Sequence, residues 1–159
     1  MATAPTTTQS GQDLRPPVVQ LGKARLSFPP SQTAIQQHAV QARNLRQITI
    51  GTGPPGVRAV AGVRVVCLPW LRPPLLGGLL FYTAGPLLAL ILALARRGTA
   101  ITCQSPYEAF GVIALSRVLP RRLRPPVRIE VHADWRTAPR MYGSRSRLVL
   151  TPLTETVTV

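Results

Sequence analysis

Ala100-Ile101-Thr102-Cys103-Gln104-Ser105-Pro106-Tyr107-Glu108 is the stretch on which the fold turns. Ala100 to Cys103 is a short apolar run suited to a strand. Ser105 then stands where a helix N-cap is expected, Pro106 at the first helical position and Glu108 at the third. That is the pattern of a capping box, with proline where its missing N–H costs nothing. An apolar helix is expected over 107–119, ended by Pro120, with Arg121, Arg122 and Arg124 complementing the negative end of its dipole. After Pro125-Pro126, residues 127–131 (Val-Arg-Ile-Glu-Val) read as a second strand. Strand, capped helix and strand within so short a span make a βαβ unit, which implies parallel strands and a right-handed crossover.

Working backwards, residues 63–68 (Val-Arg-Val-Val-Cys-Leu) are β-branched and bounded by Gly62 and Pro69, hence another strand. Residues 47–50 suit a short strand running into the turn-rich Gly51-Thr52-Gly53-Pro54-Pro55-Gly56. Residues 75–95 contain no charge and are long enough to cross a bilayer. Gly85-Pro86 is expected to break that stretch, leaving a helix over 87–97 to cover a parallel sheet. Residues 1–45, with Pro16-Pro17 and Pro29-Pro30 and only a weak amphipathic pattern over 33–46, read as a flexible leader. The expected architecture is therefore α/β: a partial Rossmann-like parallel sheet over 46–159, preceded by a leader over 1–45.

Composition narrows the function without deciding it. Nineteen basic residues against five acidic ones give a formal charge of +14, which favours anionic partners: diphosphate-bearing substrates, polyanions or an anionic membrane. The arginines are spread through every segment without aromatic interleaving, which points away from a specific nucleic-acid reader. Cys67 and Cys103 each sit in an apolar run and are expected to be buried thiols. With two distant histidines they make no zinc pattern. No Gly-x-Ser-x-Gly elbow, Walker loop or dinucleotide fingerprint occurs, and residues 1–11 do not form a secretory signal.

Ligands of such sheets bind beyond the carboxyl ends of the strands. Two places meet that description, Gln104-Ser105 and His132-Ala133-Asp134-Trp135-Arg136. The second is where a histidine, a carboxylate, an arginine and a tryptophan cluster. Those groups can bind sugar hydroxyls, stack on a sugar ring and offset phosphate charge. The same residues also suit a capped strand end followed by a basic loop.

From about Gln47 to Leu153 the chain resembles the N-terminal, acceptor-side domain of retaining glycosyltransferases of the GT-B architecture, the group 4 class. The resemblance rests on residues 50–56, 62–69, 101–111 and 127–134, the last ending in a strand followed by His-x-Asp, and continues through 135–138 and 148–153. It implies that His132 contacts the donor sugar, that Asp134 lies beside the same cleft, and that Gln104, Ser105 and Tyr107 line it with Trp135 and Arg136. Ala133 stands where the family has glycine. The resemblance further implies a nucleotide-sugar donor as substrate, no metal, no covalently bound cofactor and a glycan or lipid-linked acceptor. Apart from the resemblance, the reduced thiols and the want of a secretory signal point to a cytoplasmic place. The basic charge and the apolar stretch over 75–95 point to peripheral contact with an anionic membrane on that face. Two parts of the family pattern are missing from this reading: an opening strand with a Gly-Gly loop, and the donor-binding second domain. The sequence 154–159 also departs from the expected helix, so the chain alone is expected to be inactive. Two other readings stand beside it: a small basic single-pass membrane protein anchored through 75–95, and a non-catalytic remnant that binds sugar or polyanion.

Overall fold

The computed structural model describes residues 17–96 and 99–130. In chain order the elements are β1 (Pro17–Arg25), α1 (Gln32–Asn44), β2 (Arg46–Gly53), β3 (Gly56–Val60), β4 (Val63–Pro69), α2 (Pro74–Ala95), β5 (Ala100–Cys103), α3 (Pro106–Ser116), a 3-10 turn (Arg121–Leu123) and β6 (Val127–Ile129). The strands form one sheet in the order β3-β4-β2-β1-β5-β6. All neighbours pair in parallel except β3 and β4. This is a partial Rossmann-like α/β sheet: the chain steps outward from β1 on one side, then crosses back to β5 on the other.

The strand at the centre of the sheet lies in the segment expected to be a leader. Residues 17–25 form β1 and residues 32–44 form α1, so the boundary at residue 45 is corrected. β1 escaped the sequence reading because a central parallel strand is usually an unbroken apolar run, whereas this one is Pro-Val-Val-Gln-Leu-Gly-Lys-Ala-Arg. Two apolar residues anchor it: Val19 and Leu21 are completely buried. Gln20 is accommodated because the Gln47 amide, on the neighbouring strand, donates to its side-chain oxygen. α1 begins where Ser31 accepts a hydrogen bond from the Ala34 N–H at 3.2 Å.

The crossover through α1 runs one way along the sheet and those through α2 and α3 the other, so α1 covers one face and α2 and α3 the opposite one. On one face Ile35 and Ala42 of α1 pack with Leu26 and Phe28 against Val63, Val65 and Cys67. On the other, α2 and α3 bury Phe81, Ala89, Leu90, Ala93, Ala109 and Val112 against Val19, Leu21, Ile50, Ile101 and Cys103. Both thiols are free and buried, as expected. β3 starts at Gly56, the last residue of the expected turn, and continues through residues for which the sequence offers no element. It is an edge strand joined to β4 through Ala61 and Gly62, both at positive φ, the conformation of a two-residue hairpin turn.

α2 does not break at Gly85-Pro86 but continues from Pro74 to Ala95 with Pro86 inside it. A proline there removes the hydrogen bond to the carbonyl four residues earlier, that of Tyr82. Tertiary packing offsets the loss. Gly111 of α3 lies so close that a Cβ on it would stand 2.7 Å from Pro86 Cγ and 3.3 Å from the Tyr82 oxygen. Glycine is what lets α3 approach the proline ring. Gly111→Val is expected to destabilise the fold by about 2–3 kcal/mol, since a rigid ring cannot give way and overpacking has that cost. A lowered urea midpoint at unchanged slope would register it. An unchanged midpoint would mean that the helices do not meet this closely.

Candidate functional site

At the carboxyl end of the sheet β1 and β5 lie side by side, where the chain's direction of winding reverses. β1 does not end cleanly there. Leu21 pairs with Ile50 but Arg25 with Thr52, so the β1 strand carries extra residues around Gly22, Lys23 and Ala24. Such bulges re-aim the groups of a strand. The Thr52 hydroxyl donates to the Ala24 carbonyl at 3.2 Å, and the Leu26 N–H rejoins β2 by donating to the Thr52 carbonyl at 2.7 Å. The Lys23 N–H is turned the other way and donates to Glu108 Oε1 at 3.3 Å.

That last bond corrects the capping box. Ser105 occupies the N-cap with extended backbone and Pro106 begins the helix, but the Ser105 side chain makes no cap hydrogen bond. Its oxygen is buried and finds no hydrogen-bond partner among the described residues. Glu108, 1 % exposed, reaches across to β1. The spacing was right and the partner was wrong, because the bulge offers a backbone donor inside the same first turn.

Gln104 completes the junction. Its N–H donates to the Leu21 carbonyl at 3.0 Å, and its side chain lies over Gly22. A Cβ at Gly22 would fall 2.0 Å from the Gln104 side-chain oxygen. Cationic and aromatic groups surround this point. The Lys23 ammonium sits 5.0 Å from the centre of the Tyr82 ring, and the Arg25 guanidinium 5.4 Å from that of Trp70, just beyond the end of β4. Beneath them, burial and then the nearby Glu108 push the Cys103 thiol up to about 12. Burial also raises the Cys67 thiol, with Arg58 pulling it the other way. Burial of this kind disfavours the reactive thiolate at both positions, most of all at Cys103.

Of the sequence-derived site residues, Gln104 and Ser105 are half-buried at this junction, and Tyr107 is buried within α3. His132, Asp134, Trp135 and Arg136 lie outside the described residues. Sequence reading missed Gly22, Lys23, Arg25 and Trp70. The signal for Trp70 was available, since it directly follows a strand that had been recognised. Lys23 is the chain's single lysine and directly follows Gly22, but its strand carries too weak an apolar pattern to stand out from a leader. Among the described residues no group of three or more His, Cys, Asp or Glu is arranged to hold a metal ion. Comparison with known proteins adds no relative: no family model matches the chain, and no curated protein or solved structure does so either.

Proposed function

We propose that this chain is the acceptor-side half of a two-domain glycosyltransferase that moves a sugar from a nucleotide-sugar donor to a glycan or lipid-linked acceptor. The observation that carries the reading is the bulged end of β1 at the reversal point of the sheet, where Gly22 lies against Gln104, the Lys23 N–H reaches Glu108 and Arg25 lies over Trp70. Its chemistry suits a phosphorylated sugar. Lys23 and Arg25 offset phosphate charge, Gln104 and Ser105 offer hydrogen bonds to hydroxyls, and Trp70 offers a ring face for stacking. β1 also gives residues 1–45 a strand, with Gly22 at its bulge, though not the Gly-Gly loop of the family pattern.

By the resemblance, His132 contacts the donor sugar and Asp134, Trp135 and Arg136 serve the same site; all four lie outside the described residues. Transfer would rest on electrostatic stabilisation of the leaving diphosphate and of positive charge on the sugar. The donor-binding domain supplies most of the diphosphate contacts. The purified chain is therefore expected to bind sugar ligands, weakened about tenfold in Trp70→Ala, while releasing no nucleotide from any nucleotide sugar. Ligand-observed NMR and a nucleotide-release assay measure the two. Turnover by the wild-type chain, lost on His132→Ala, would show that one domain suffices. Absence of binding to every sugar ligand would remove the reading altogether.

A further inference from the structure

The outer side of α2 carries a continuous apolar stripe. Leu75, Leu76, Leu79, Leu87, Ile91 and Leu94 are all exposed, Leu79 by 64 %. Leu75, Leu79, Thr83, Leu87 and Ile91 follow at four-residue intervals, with Leu76 and Leu94 alongside, in a row about 30 Å long at the rise of an α-helix. The row passes Thr83, whose hydroxyl bends back to donate to the Leu79 carbonyl at 2.8 Å, so the polar group is satisfied within the helix. The opposite side of the same helix is committed to the sheet through Phe81, Ala89, Leu90 and Ala93.

Arginines stand at both ends of this row. Arg72, beside the exposed Trp70 and Leu71, precedes the helix, and Arg96 caps it. α2 and α3 each lead into a parallel strand, β5 and β6, so their last turns lie at the same end of the layer. That end adds exposed Arg117, Arg121 and Arg122, with Val118 85 % exposed and Leu123 half exposed. Arg124 is occupied differently, donating to the Leu119 and Arg117 carbonyls at the end of α3. Among the described residues the acidic side chains are Glu108, which is buried, and Glu130.

From this arrangement we infer that the α2 face rests on an anionic lipid surface, with the leucine row in the acyl boundary and the arginines at the headgroups. Aliphatic side chains rimmed by arginine are the composition of an interfacial helix. A second copy of the chain would bring like charge against like. Nucleic acid would be read with stacking aromatics rather than leucines. α2 is long and apolar enough to span a membrane, but spanning would strip its inner face from the sheet, so the helix lies along the surface. This inference is independent of the transferase reading.

The test is flotation of the full-length chain with phosphatidylcholine vesicles, with and without phosphatidylglycerol. Binding is expected to the anionic vesicles alone, to weaken with salt, and to be reversed by alkaline carbonate. Arg121→Gln with Arg122→Gln should lower affinity about fivefold for each arginine. Leu87→Gln, Ile91→Gln and Leu94→Gln together should lower it at least about tenfold with an unchanged far-ultraviolet spectrum. The arginine pair sits on an exposed turn and decides the matter if the apolar triple fails to fold. Binding indifferent to lipid charge, resistance to carbonate, or identical affinity in the arginine variant would each overturn the inference.

Discussion

Phe81→Ala is expected to destabilise the protein by about 3–5 kcal/mol, the usual cost of deleting a buried phenyl ring. Phe81 is 1 % exposed and is the largest of the fully buried side chains among the described residues. It packs where α2 crosses β1, so the cavity would open beneath the central strand and not at the rim. The ring also meets Tyr82 edge-on, with centroids 5.7 Å apart, and Tyr82 in turn lies under the Lys23 ammonium. Its loss should therefore loosen the candidate site along with the core. Domains of this size are stable by about 5–15 kcal/mol, so the variant should unfold at far lower urea, as followed by circular dichroism. Phe81→Leu, which refills most of the space, should recover more than half of the loss. A variant within 1 kcal/mol of wild type, on the order of a surface change, would mean that α2 does not press on β1 through this ring.

Stability is also expected to fall steeply in alkali, through Cys103. Its thiol ionises at 9.0 when unperturbed and at about 12 in the folded chain. Below 9.0 both states keep the proton and the folded state has its full advantage. Between the two values only the unfolded chain releases it, so the free energy of unfolding drops by about 1.4 kcal/mol per pH unit. The raised Cys67 thiol acts in the same direction. Cys103→Ala removes the larger contribution, so its stability should decline less from pH 9 to 11, by about 2–3 kcal/mol in total. Parallel pH profiles for the two proteins would show that the thiol is not held away from solvent in this way.

Local chemistry made the second half of the sheet legible and left the first half obscure. β4, β5, α3 and β6 announce themselves through β-branched runs and a proline-led helix start, signals that depend on neighbouring residues alone. β1 is written in polar and flexible residues and becomes a strand because β2 and β5 enclose it, with Gln47 answering Gln20. The expected break at Gly85-Pro86 failed for the same reason, since Gly111, distant in sequence, supplies the packing that holds the helix together. At the site, Gln104 and Ser105 could be named from a strand end. Lys23 and Arg25 could not, because their position depends on a bulge in a strand that local patterning did not reveal.

The central position of β1 has a consequence for how the chain is made. β1 is made before the other described elements, yet its second neighbour, β5, pairs Ala100 with Val18, about half a chain length later. Until that segment emerges, the edge of β1 that faces away from β2 has no strand to pair with. Folding must wait for a long-range pairing, which slows it and keeps an unsatisfied strand edge within reach of other nascent chains. Translation speed through residues 70–100 and access to a holding chaperone should therefore govern how much of this protein reaches its native state.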